Sequence, residues 1–330
     1  MPLFESSTYS LWPVLCCVAN IKPSQVFPVA LYGGNAKPND LDFLSETINE
    51  LAELLSGGIT ANDTHFKCVL KFIVCDAPAR AMVKCAKQFS GYYGCDKCSQ
   101  RGEHVGRMTF PDCEAPTRDD KSFRSQLNAE HHTGISPFCK LPIDMIKCFP
   151  VDYMHQSCLG VMKRLLACWT GGAKIVKLSI TQKQCINTKI EIFKHSVTSE
   201  FSRKPRTLEH LAHWKATEFR TFLLYIGYFV LHKIVRDDVL THFLSLVVAM
   251  RILISEKLAA CSDNRAFAHE LLLYFISHAT YIYGREFLVY DVHCLAHLCQ
   301  EMELFGQLDN CSAFVFENYV QTMKKYEGTR

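Results

Sequence analysis

Nowhere in this 330-residue chain do roughly 18 apolar residues run without interruption, so no stretch reads as a transmembrane helix. The opening residues, Met1-Pro-Leu-Phe-Glu-Ser-Ser7, hold neither the basic nor the apolar stretch of a secretory signal. Charge of one sign is scarce as well. Lys and Arg number 36 against 33 Asp and Glu, and the resulting +3 is too small to mark a nucleic-acid binder by itself. Any DNA contact must therefore come from local patches, of which Arg203-Lys-Pro-Arg206 and Lys324-Lys325 are the clearest. Internal repeats and low-complexity tracts are missing too. These absences describe a soluble intracellular protein, nuclear or cytoplasmic, with no membrane partner.

What is present is apolar surface to bury. Hydrophobic residues make up 48% and charged residues 21%, enough for one large domain or two moderate ones and against global disorder. The 17 cysteines are odd in number and scattered, which argues against a disulfide framework and for reduced thiols, most of them in the core.

Periodicity orders the N-terminal part as strand, strand, helix, strand, helix. Tyr9 to Val18 and Val26 to Tyr32 read as short strands, with Pro23 in their connection and Gly33-Gly34 closing the second. Asp40 is placed to cap a helix in which Leu41, Leu44, Ile48, Leu51, Leu54 and Leu55 recur at helical spacing, until Gly57-Gly58 stops it. Phe66 to Cys75 reads as a buried strand ending at Asp76, and Ala77 to Gln88 as a helix with Pro78 in its first turn. Gly91 to Lys140 is rich in Gly, Pro and charge, with a hairpin around Arg107 to Phe110. A helix follows from Tyr153 to Trp169. Beyond Arg206 the helical segments are Leu208 to Phe229, Val239 to Leu253, Asn264 to Tyr283, Leu288 to Phe305 and Ser312 to Tyr326.

Six groups of residues carry chemistry. In Cys95-Asp-Lys-Cys98 two thiolates can face one tetrahedral Zn²⁺, and Gly91 and Gly94 let the backbone turn; two ordinary cysteines are the plainer reading. His293 and His297, at i and i+4, share a helix face and can chelate one ion, or be two half-buried histidines. Each pair supplies what the other lacks. Asp76 stands at a strand end, where α/β sheets place site residues, but it can equally cap the next helix. Asp152 and His155 share a face in Asp152-Tyr-Met-His155, again with a cap and a packed imidazole as the alternative. His210, His213, Trp214, Lys215 and Glu218 cluster, and could form the polar side of an amphipathic helix. Glu317 lies among Phe314, Phe316 and Tyr319, where a carboxylate needs a cation, either a metal ion or a lysine.

Taken in order, these strings resemble the transposases of CACTA/EnSpm-type DNA elements, in their animal versions. The likeness runs through Pro2-Leu-Phe-Glu-Ser-Ser-Thr-Tyr-Ser-Leu-Trp-Pro13, Asp76-Ala-Pro-Ala-Arg80, Gly91-Tyr-Tyr-Gly-Cys-Asp-Lys-Cys98 and Val151-Asp-Tyr-Met-His155. It continues through His213-Trp-Lys-Ala-Thr-Glu218, Val292-His-Cys-Leu-Ala-His297 and Ser312-Ala-Phe-Val-Phe-Glu-Asn-Tyr319. The resemblance implies an α/β, RNase H-like (retroviral-integrase-type) catalytic core interrupted by a large α-helical insertion. It divides the chain into a core over 1–170 with a zinc knuckle at about 91–110, an insertion over 171–290, and a return to the core over 291–330. It also implies an Asp, Asp, Glu triad that holds Mg²⁺ for DNA strand cleavage and transfer, with Asp76 as second acid and Glu317 as third. Asp152 and His155 would stand close by. Cys95, Cys98, His293 and His297 would bind one structural Zn²⁺, as in the vertebrate recombination-activating recombinase. DNA is the implied partner, reached by Arg203, Arg206 and Lys215 and by Trp214 as a base-stacking aromatic, with a homo-oligomer as a further expectation.

One departure stands out. In the family, Asp-Gly-Leu precedes Pro-Leu-Phe-x-Ser-Ser, and Met1 stands here in the Leu position, so the first acid and the first strand would fall ahead of this chain. The expectation is a core lacking its first strand and inactive alone. The alternative is a domesticated, non-catalytic DNA- or protein-binding module with structural zinc.

Overall fold

The computed structural model describes residues 9–21, 25–36, 38 and 40–327. The Pro2 to Thr8 part of the first motif and Pro23 lie outside them. The chain mixes helix and strand and is 55% helical, so helix packing supplies most of the core.

Two strands, β1 (Ser10–Cys17) and β2 (Val26–Gly34), form an antiparallel hairpin, with Ser10 opposite Gly34 and Cys17 opposite Val26. The register slips between Val14 and Leu15, where Pro28 stands opposite Leu15. Proline has no N–H to give a ladder, so a bulge is where a sheet tolerates it. Asp40 accepts from the Asp42 N–H at 3.0 Å ahead of a short 3₁₀ turn (Asp42–Leu44) that runs on into α1 (Ser45–Gly57), but it does not cap α1 as expected, because Leu44 holds that position and offers no side-chain acceptor. Gly58 ends that helix at φ +66°, a conformation that favours glycine. A small hairpin follows, β3 (Ile59–Ala61) with β4 (Thr64–Phe66).

The expectation of a buried strand over 66–75 fails. Only Phe66 belongs to a ladder, and residues 67–75 run without one, each partly or fully exposed. The Ile73 N–H bonds to the Cys148 carbonyl at 2.7 Å, but among the described residues no strand pairs with the rest. Apolar content made the segment look like a strand, whereas a ladder needs a neighbour as well as a sequence. Among the described residues the sheets are three two-stranded antiparallel pairs, the third being β5 (Glu103–Val105) with β6 (Arg107–Thr109), the hairpin expected there. Gly106 turns it at φ +65°.

Helix α2 (Ala77–Val83) stops five residues short of Gln88, because Cys85 takes φ +49°. After α3 (Asp120–Arg124), a π-helical stretch, Met154–Met162, runs on as α4 (Lys163–Gly171), together the helix expected over 153–169. Next come α5 (Ile180–Ser196), α6 (Ala216–Thr221), a π-turn at Phe222–Ile226, α7 (Gly227–Leu231), α8 (Asp237–Leu253), α9 (Glu256–Ala259) and α10 (Ser262–Tyr283). The segment expected as one helix over 288–305 is α11 (Tyr290–His293), a 3₁₀ turn (Cys294–His297) and α12 (Leu298–Phe305), and α13 (Phe314–Glu327) closes the chain.

Apolar side chains gather in two clusters. The smaller joins Leu44, just ahead of α1, and Ile48 of α1 to Phe123, Phe138 and Phe149, with Val14, Leu70 and Ile73 against it. The larger runs from Phe110 and Val151 through α4, α5, α8, α10 and α12 to Leu308. A boundary at residue 170 cuts through this second cluster. Trp169 of α4 meets Phe243 of α8 edge-on at 5.7 Å, so the segment over 151–171 shares its core with the helices that follow. No helix among the described residues is long and apolar enough to cross a membrane.

Candidate metal centre and acid cluster

Gly91 and Gly94 shape the knuckle. Its 91–94 turn closes through the Gly94 N–H to the Gly91 carbonyl at 3.1 Å, and a Cβ on Gly94 would sit 2.5 Å from the Gln88 carbonyl. The turn delivers Cys95 and Cys98 inward, while α11 and the 3₁₀ turn after it deliver His293 and His297. All four side chains are buried, and their ligating atoms lie within 4.8 Å of one another. Cys95 Sγ is 3.5 Å from His297 Nε2, Cys98 Sγ is 3.2 Å from His293 Nε2, and the two Nε2 atoms are 3.3 Å apart. A tetrahedron with zinc–nitrogen and zinc–sulfur bonds of about 2.0–2.3 Å has edges of roughly 3.3–3.8 Å. Donor chemistry and spacing therefore both fit a structural metal such as zinc.

The electrostatics agree. Burial opposes ionisation of Cys95, but hydrogen bonds with Cys294 and Cys98 and the nearby His293 and His297 bring its thiol well below the ordinary value. Burial likewise opposes charge on His293, yet Cys95 lifts it to about 10. Zinc takes thiolates and neutral imidazole nitrogens, so binding it here would expel protons from the four side chains. The Gln100 carboxamide lies 3.0 Å from His293 Nδ1, where it fixes the ring.

The residues between the two cysteines are a feature sequence reasoning missed. Asp96 and Lys97 are buried, not turned to solvent. Asp96 Oδ2 meets Arg80 Nε at 3.0 Å and Lys84 Nζ at 3.3 Å, and Lys97 Nζ meets Glu301 Oε1 at 2.7 Å. Burial works to raise the Asp96 carboxyl, but Arg80, Lys84 and Lys97 hold it well below the carboxylate range. Lys84, fully enclosed over the Phe123 and Phe149 rings, is lowered by burial to about 8. Nothing in the local sequence marks these pairs, because isolated Asp and Lys normally face water.

Asp76 caps α2, its Oδ1 accepting from the Ala79 N–H at 2.8 Å. Asp152 is deeply buried and serves two helices. It accepts from the Met154 and His155 N–H groups at 3.2 Å, and from the Ala313 N–H at 2.9 Å and Ser312 Oγ at 3.2 Å, ahead of α13. Its Oδ2 also holds His155 Nδ1 at 2.6 Å. Burial works to lower the His155 imidazole, but the Asp152 hydrogen bond and charge, followed by the charges of Asp76 and Glu317, raise it overall. Three acids thus favour charge on one imidazole, the neighbouring Asp152 most and Asp76 and Glu317 less, with Glu317 exposed in the first turn of α13. Among the described residues, however, no second group of three ligating side chains gathers as closely as the Cys/His set.

The expected DNA contacts fare unevenly. Trp214 is 6% exposed and lies in the main core, with Phe219 and Phe222 at 5.4 and 5.9 Å and its Nε1 donating to the Thr207 carbonyl. A base-stacking role for it is corrected: the ring is consumed by packing. Arg206 is committed to buried Glu218 through two bonds of 2.7 and 2.6 Å, so neither is free for DNA or a catalytic metal. Arg203 and Lys215 remain exposed. No family model, no curated protein and no solved structure matches the chain.

Proposed function

We propose that this chain is a transposase-derived protein of the DDE type, an RNase H-like core whose chemistry is DNA strand cleavage and transfer. The observation that carries the reading is the buried Cys95, Cys98, His293 and His297 set, which joins the knuckle after Asp76 to the turn before Glu317. Asp152 supports it further by holding His155 Nδ1 at 2.6 Å, an imidazole whose charge Asp76 and Glu317 also favour. Bound Mg²⁺ would activate the attacking oxygen and stabilise the leaving one, and carboxylates suit it as hard oxygen ligands. Asp76 and Glu317 are the residues that would hold it, and Asp152 orients His155 through its hydrogen bond of 2.6 Å. A third carboxylate would come from outside the described residues. DNA is the partner, met through exposed Arg203 and Lys215.

A second reading has an observation of its own. Asp76 and Asp152 are both already used as helix caps, which suits a binding module that kept the fold and its zinc but lost catalysis.

Nicking of supercoiled DNA with Mg²⁺ or Mn²⁺, by the longest natural form of the chain, separates the two. Asn caps a helix about as well as Asp, so Asp76→Asn keeps α2 intact; it and Glu317→Gln should each abolish nicking while melting behaviour stays unchanged. Nicking that survives both substitutions, or that is absent from the unsubstituted protein, rejects the catalytic reading.

A further inference from the structure

Arg80 closes the motif Asp76-Ala-Pro-Ala-Arg80, and neither the metal centre nor the acid cluster uses it as a ligand. It is 3% exposed, and its guanidinium is spent on three other parts of the chain. Nε meets Asp96 Oδ2 at 3.0 Å, Nη1 donates to the Pro150 carbonyl at 2.9 Å, and Nη2 donates to the Tyr290 hydroxyl at 2.5 Å. Tyr290 then donates to Asp96 Oδ1 at 3.0 Å, which closes a ring of three side chains. The cavity beside the ring measures only about 10 Å³, room for one water at most, so the ring has little space to rearrange.

Each partner stands next to a residue of one of the two centres. Asp96 lies between Cys95 and Cys98, and Tyr290 is in α11, which ends at His293. Pro150 precedes Asp152 by two residues, and the Arg80 N–H bonds to the Asp76 carbonyl at 2.9 Å in the first turn of α2. We propose that Arg80 couples the Cys/His centre to the acid cluster, so that closure of the metal centre sets where Asp76 and Asp152 are held. That this regulates chemistry rests on the transposase reading; the coupling itself does not. A guanidinium is a planar fork that fixes several directions at once, where an ammonium offers a point charge. Opening the knuckle would leave the Asp96 carboxylate buried with its partners displaced, a costly arrangement, so the ring holds or breaks as a unit.

Two amides report the acids directly: Ala79 N–H on the Asp76 carboxylate and Ala313 N–H on Asp152. Hydrogen exchange at both is compared in the zinc-loaded protein, the same protein stripped by a chelator, and zinc-loaded Arg80→Lys. The expectation is exchange about 10-fold faster at both amides in the stripped protein and in Arg80→Lys, with the amide of Ile190 in α5 within about 2-fold of its original rate. Arg80→Lys should keep its zinc. Unchanged exchange at Ala79 and Ala313 on stripping overturns the proposal, and so does equal acceleration at Ile190, which would mean simple loss of the fold. Should Arg80→Lys fail to fold, the stripped natural protein decides alone. Strand cleavage is read in none of these arms, so a chain that does not nick DNA refutes the functional reading and leaves the coupling standing.

Discussion

At the residue scale, burial decides what a side chain can do, and His242 makes the point away from any metal. It is fully enclosed in α8, stacked on Phe275 with ring centres 4.0 Å apart, its Nε2 donating to the Phe275 carbonyl at 2.8 Å. Burial lowers its imidazole to about 4. In the unfolded chain the same group titrates near 6.5, so between these values the unfolded state takes up a proton that the folded state refuses. Its contribution to stability is complete above about pH 6.5 and is lost as pH falls toward 4, by about 2 kcal/mol at pH 5. His242→Gln, which retains a donor, should shrink the stability difference between pH 7 and pH 5 by about that amount in urea titrations; an unaltered difference would mean that other groups set the acid limit. The same principle explains two misreadings. Trp214 and Arg206 have the side chains of a DNA-binding surface, but sequence cannot say that one is walled in by Phe219 and Phe222 and the other clasped by Glu218.

At the element scale, helix ends tie the molecule together. Asp152 satisfies orphan amides at the start of the π-helical stretch and ahead of α13, so one carboxylate anchors the helix that carries Glu317. Asp152→Ala should cost about 2–4 kcal/mol, the sum of two lost caps, and speed proteolysis within 312–320 more than in α8. A loss below about 0.5 kcal/mol would show that the double cap holds nothing. Elements with strong local signals were legible: the β1/β2 hairpin, α1 with its glycine stop, and the 103–109 hairpin. The α5 helix had its own announcement, the Ser179 and Gln182 capping box, which went unread. Residues 67–75 show the opposite failure, because an apolar run promises a strand and only a partner edge can deliver one.

At the scale of the whole molecule, the Cys/His centre joins a knuckle at 95–98 to a turn some two hundred residues later, closing a loop that contains α3 to α10. Cys98→Ser should lose the bound zinc and lower the thermal midpoint by more than about 5 °C, because a structural metal contributes folding free energy directly. Metal analysis finding one zinc per chain retained in that variant would reject the centre.

The sequence by itself determined the local pieces: the cysteine turn, the histidine spacing, the capping aspartates, and which stretches would be helical. Each depends on residues within a turn or two, where backbone geometry leaves few choices. Only the tertiary structure decided that the two half-sites meet at one buried centre fit for a metal ion, that Asp96 and Lys97 are buried ion pairs, and that Arg80 bonds to Asp96, Pro150 and Tyr290. Those facts rest on desolvation and on contacts between distant segments, and both come into being only when the chain closes on itself.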